Sequence, residues 1–171
     1  MSVSVLKRSF QGIRVIVESS RSFDQVLQSL RELTKAASIP QIVALAKEAA
    51  SEDDYVKQVQ EKFVGQSGFM LFAELDHGGW LARFGIQRRS VRWILGNPLI
   101  AITMLRQDIS AGLFVPIELL LTESESRKSA TLTYVLPSSL IAIEPGPSAL
   151  REAAEVLDAK FEAFVAAATN V

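Results

Sequence analysis

Residues Phe69–Trp80, FMLFAELDHGGW, decide how the rest of the chain is read. Upstream of Gly68 apolar residues recur at helical spacing; from Gly68 the period drops to two, which predicts a strand over Phe69–Leu75. Strand neighbours point to opposite faces and residues two apart share one. Glu74 and Asp76 therefore fall together, and His77 falls on the other side. Gly78 and Gly79 predict a bend immediately afterwards. The remainder of the chain has to complete a sheet.

Working outward, Gly12–Ser19 (GIRVIVES) is alternating and β-branched, a second strand. Phe23, Val26, Leu27, Leu30 and Leu33 then make one helical stripe, and Ser22 with Gln25 has the spacing of a capping box. Residues 40–64 predict an inserted pair of short helices, opened by Pro40 and by Ser51 with its three following acids. Downstream, Ser90–Leu95 is a strand, and Asn97-Pro98 caps a helix through NPLIAITMLRQD. LFVPIELLLTE and ATLTYVLP form a hairpin through Ser124–Ser129, and a long amphipathic helix closes the chain. This order predicts one α+β domain over residues 1–171: an antiparallel sheet of about five strands with helices on one face.

The composition narrows the function by exclusion. Eighteen basic against nineteen acidic residues give a net charge of −1, which argues against a nucleic-acid binder. Without cysteine there is no disulfide, thiolate metal site or thiol nucleophile. GLFVPIELLL is too short and too interrupted to span a bilayer, and the first ten residues lack a signal core, so no membrane role and a cytoplasmic location are expected. Hydrophobic residues make up 49%, and that excess predicts a homodimer interface or a ligand cleft.

Three stretches resemble the DUF302 family: GFMLFAELDHGGWLARFG, WILGNPLIAITMLRQDISAGLFVPIELLL and ATLTYVLPSSLI. They carry the family's acid–aliphatic–Asp strand end, its glycine-to-Asn-Pro turn with the helix behind it, and its last strand with a proline exit. The resemblance implies a TATA-binding-protein-like fold, in strand–helix–four strands–helix order, and dimerisation. Residues 40–64 depart from the compact family pattern. The family's activity is undefined, so the resemblance assigns no catalytic residue.

Two chemistries follow from the residues. In the first, an apolar cleft lined by Phe72, Trp80, Trp93 and Leu120, with Glu118 and His77 at its polar end, binds an apolar or acidic small molecule. Asn97, at a helix start near Arg83, Arg88, Arg89 and Arg92, adds a place for an acidic group, against the plainer reading of a structural cap. In the second, a cofactor-free acid/base enzyme (isomerase, cyclase or lyase) uses His77 as base, Asp76 as its orienting partner and Glu118 as a second proton carrier. Arg14, Glu74, Glu118 and Thr133 are expected on one polar sheet face. A lone histidine without cysteine leaves no spaced ligand set, so neither a metal nor a cofactor is expected. A third reading, an interaction module, would need residues 40–64 to expose an apolar stripe.

Overall fold

The computed structural model describes residues 3–170. Strand β1 (Arg14–Ser19) leads into helix α1 (Phe23–Leu33), where Ser22 and Gln25 close the capping box reciprocally. A two-residue strand β2 (Lys35–Ala36) precedes α2 (Ile39–Glu48) and α3 (Glu52–Lys62). Ser38 with Gln41 caps α2, and Ser51 caps α3 ahead of Glu52, Asp53 and Asp54, whose charges suit a helix N-terminus. Next come β3 (Met70–Asp76), a short helix α4 (His77–Leu81), β4 (Ser90–Gly96) and α5 (Pro98–Leu105), capped by Asn97. A 3₁₀ turn over Ile109–Phe114 leads to the hairpin β5 (Ile117–Glu123) and β6 (Ala130–Val135). Helices α6 (Pro137–Ile141) and α7 (Ser148–Thr169) complete the chain.

The sheet has six strands in the order β1-β6-β5-β4-β3-β2. Every pairing is antiparallel except β2 on β3, so the sheet is mixed, where an antiparallel one of about five strands was expected. A two-residue strand carries too little alternation to be read from sequence.

Helices α1 and α7 cover one face. Val91, Trp93 and Leu95 of β4, Leu119 and Leu121 of β5, and Leu132 and Tyr134 of β6 pack there against Leu30, Leu157, Phe161 and Phe164. The Tyr134 and Phe161 rings meet edge-to-face at 4.7 Å. Helices on a single face were expected, but a second cluster gathers Leu45, Val59, Val64 and Met70, with Ile42, Tyr55 and Phe72 against it. Met70 pairs with Gly96 and Leu71 with Leu95, so Met70 faces away from the main core toward the α2–α3 pair. Elsewhere that second face is largely open: Ile16 is 60% exposed, and Leu75 and Val135 are exposed on the same face.

Candidate functional site

Three of the concavities around the sheet hold the candidate residues. The first lies on the open face and is closed by α4. Asp76 ends β3, and its carboxylate accepts the Gly79 N–H at 3.1 Å, capping α4. A Cβ on Gly78 would lie 3.1 Å from the Ser90 nitrogen and 3.2 Å from the Arg88 oxygen. Glycine there lets α4 rest against the start of β4, so the predicted bend is a helical turn. His77 and Trp80 then line a cleft of about 440 Å³ with Arg14, Arg92, Glu118, Leu120 and Thr133.

The polar groups of this cleft are largely spent on each other. Arg92 and Glu118 form an ion pair across β4 and β5. The Trp80 indole N–H donates to His77 Nδ1 at 3.3 Å, with the two rings perpendicular. A neutral imidazole whose Nδ1 accepts carries its proton on Nε2, so the free edge of His77 is a donor. The expected Asp76–His77 pairing does not form, because the Asp76 carboxylate caps α4. Arg14 has no polar partner among the described residues.

The second concavity is a charged groove of about 520 Å³ on the helical side. Glu74 and Asp76 both reach it, opposite the core-facing Trp93 and Val91. Glu74 thus leaves the polar set expected with Arg14, Glu118 and Thr133. The bulge between Leu71 and Ala73 shifts the register of β3 against its neighbours, an offset that no single-strand alternation reveals. Arg31 grips Glu74 through Nε and Nη2 at 3.2 and 2.5 Å. Arg89 bonds Asp24 at 2.7 Å and lies over the Phe23 ring at 4.1 Å. That guanidinium holds the Asp24 carboxyl below its ordinary value. Arg88 donates to the Glu123 carbonyl at 2.6 Å. Ion pairs and bonds to main-chain carbonyls are thus the visible work of these arginines, and Asn97 is not among the residues of the groove.

The third concavity is an apolar cavity of about 310 Å³ at the end of the sheet where β4 finishes and β5 begins. It lies where the two hydrophobic clusters meet. Phe69, Met104, Ile117 and Leu157 come from the main core, and Ile42 and Phe72 from the cluster of α2 and α3. A Cβ on Gly96 would come within 3.2 Å of Pro116 and 3.3 Å of Phe72, so glycine admits both to the wall. Asn97, the one side chain in the lining with strong polar groups, is satisfied internally: Nδ2 donates to the Gly68 carbonyl and Oδ1 accepts from the Leu99 N–H. Exposed Gly112 and Pro116 mark the mouth, beside the exposed side chains of Ile109 and Leu113.

The residues singled out from sequence divide among these places. His77, Trp80, Glu118 and Leu120 share the open-face cleft; Phe72 and Asn97 line the apolar cavity; Glu74 and Asp76 reach the charged groove. Trp93 is wholly buried in the main core, because β4 pairs Arg92, not Trp93, with Leu120. Its indole N–H has no hydrogen-bond partner. Ile42, Met104 and Leu157 were not singled out, since each reads as ordinary helical core and nothing local marks a wall. Asp158, buried next to Leu157, caps α6 by accepting the Ser138 N–H at 2.9 Å, and burial raises its pKa. Among the described residues no group of three or more acidic or histidine side chains is placed to hold a metal ion, and no helix is long and apolar enough to cross a membrane.

Comparison with known proteins gives a family match and structural neighbours. The profile of the family described as "Domain of unknown function DUF302" matches residues 43–168, beginning within α2. A crystal structure described as that of an uncharacterized conserved protein DUF302 from Bacillus stearothermophilus superimposes with a TM-score of 0.62 at 15% identity, over 91% of this chain and 97% of that one. No curated protein matches the chain.

Proposed function

The chain belongs to the DUF302 family, and from that premise we propose that it is a dimeric small-molecule-binding domain whose ligand occupies the apolar cavity at the sheet end. The observation that carries this reading is the cavity itself. Its volume of about 310 Å³ lies at the lower end of the range typical of ligand sites. Its apolar walls face water when the recess is empty, and a bound apolar molecule removes that surface from water. The open sheet face, with Ile16, Leu75 and Val135 exposed, supports the dimer. The same reading takes the strand order as TATA-binding-protein-like and the location as cytoplasmic. Native mass spectrometry tests it: a dimer retaining a ligand is expected, and a strictly monomeric protein that neither retains nor binds an apolar molecule removes its basis.

A second reading, a cofactor-free acid/base enzyme, rests on the open-face cleft, where His77 and Glu118 line one space. Asp76 has no part in it, and His77 would serve as a hydrogen-bond donor through Nε2 until the Trp80 contact breaks. Trp80→Phe frees Nδ1 to accept a proton, so under this reading the substitution changes the rate of turnover.

A further inference from the structure

Resting on the cavity reading above, we propose that its ligand is an uncharged molecule of about a dozen non-hydrogen atoms held between the two hydrophobic clusters, and that α2 sets the permitted length through Ile42. The size follows by comparison: a 150 Å³ apolar cavity holds benzene, and this one has roughly twice that volume.

The exclusion of charge follows from the lining. No Lys, Arg, Asp or Glu side chain contributes to it, and the amide of Asn97 is committed on both sides, to the Gly68 carbonyl and the Leu99 N–H. A carboxylate or ammonium drawn inside would lose its water and meet no partner, a cost that apolar contacts of this extent do not offset. An uncharged chain or ring system has no such cost.

The role of α2 follows from where the walls come from. Phe69, Met104, Ile117 and Leu157 belong to the main core, so enlarging the cavity on that side damages the fold. Ile42 comes from a separate small cluster and is only partly buried, so that wall can change at little expense to the main core. Length selection therefore resides on the α2 side.

The experiment uses the full chain and a series of 1-alkanols from hexanol to tetradecanol, with decanoate and decylamine as charged counterparts, read by displacement of 1-aminonaphthalene fluorescence, a reporter of eleven non-hydrogen atoms. Decanol is expected to compete at least about 100-fold better than either charged counterpart. Ile42→Ala removes three carbons from the wall and is expected to move the best-binding alkanol about two carbons longer, while Ile42→Phe moves it shorter. Ile42→Val gives a smaller shift toward longer chains and serves if Ile42→Ala melts early. Decanoate binding as well as decanol would overturn the uncharged ligand and leave the cavity reading standing. An unchanged length optimum in folded Ile42 variants would overturn the assignment to α2. Failure of every probe to bind the unaltered protein would remove the cavity reading itself.

Discussion

The apolar cavity and the open-face cleft lie on one sheet and are built from opposite materials. The cavity has walls from two hydrophobic clusters and no charged lining. The cleft holds two arginines, a glutamate and a histidine, and its ion pair and its indole–imidazole contact are already made. The comparison shows that a gathering of titratable groups is weak evidence for a site when the groups satisfy one another. An apolar recess is stronger, because its lining stays hydrated until an apolar molecule covers it.

The largest contrast is expected in stability. Leu157→Ala, at a buried position shared by cavity and main core, should cost about 2–5 kcal/mol in denaturant unfolding. Leu120→Ala on the cleft floor is only half-buried and should cost well under that, nearer the roughly 0.5 kcal/mol of surface changes. Equal losses would mean that the open face is covered in solution.

A second contrast is in pH dependence. Asp158, in α7 next to Leu157, has its pKa raised first by burial. The folded chain therefore holds that proton more firmly than the unfolded one: no penalty exists below the ordinary value near 3.8, and stability is lost as pH rises through the raised value. Asp158→Asn keeps an acceptor for Ser138, so its melting temperature should exceed the parent's at pH 7 and approach it at pH 3. Asp24 has the opposite sign. Its pKa is lowered by the Arg89 hydrogen bond, so its contribution is present above 3.8 and fades as pH falls through the lowered value. Because Asp24 is exposed, Asp24→Asn should lower the neutral-pH melting temperature only slightly.

Within the cleft, Glu118→Gln breaks an ion pair whose partners are 41% and 52% exposed, and it should change stability by about 0–1 kcal/mol. Freeing Arg92 in the cleft that Arg14 also lines should raise the affinity for a small carboxylate such as benzoate, measurable by calorimetry. The smallest effect is expected from His77→Ala: displacement of the fluorescent probe by decanol should not move.

Much of the scaffold was legible because it is written locally. Ser22 with Gln25, Ser51 with its acids, and Asn97-Pro98 each act within one helical turn. The β5–β6 hairpin was equally plain from two apolar runs and a polar link. The sites were less legible because they depend on register and packing. Alternation put Glu74 with Asp76 correctly, but no strand carries its offset from its neighbour, so Trp93 and Leu120 were assigned to one cleft when they lie on opposite faces. Gly78-Gly79 reads as a bend, and only the approach of Ser90 shows why a helical turn needs glycine there. The cavity arises from how two clusters meet, and no residue in it carries a signal of its own.

The central claim, that the ligand site is the apolar cavity, is tested most directly by methyl-labelled NMR of the full chain with 1-decanol. Intermolecular NOEs to Ile42, Ile117 and Leu157 are predicted. NOEs to Leu120 and Val135 instead, or none while the protein stays folded, would contradict it.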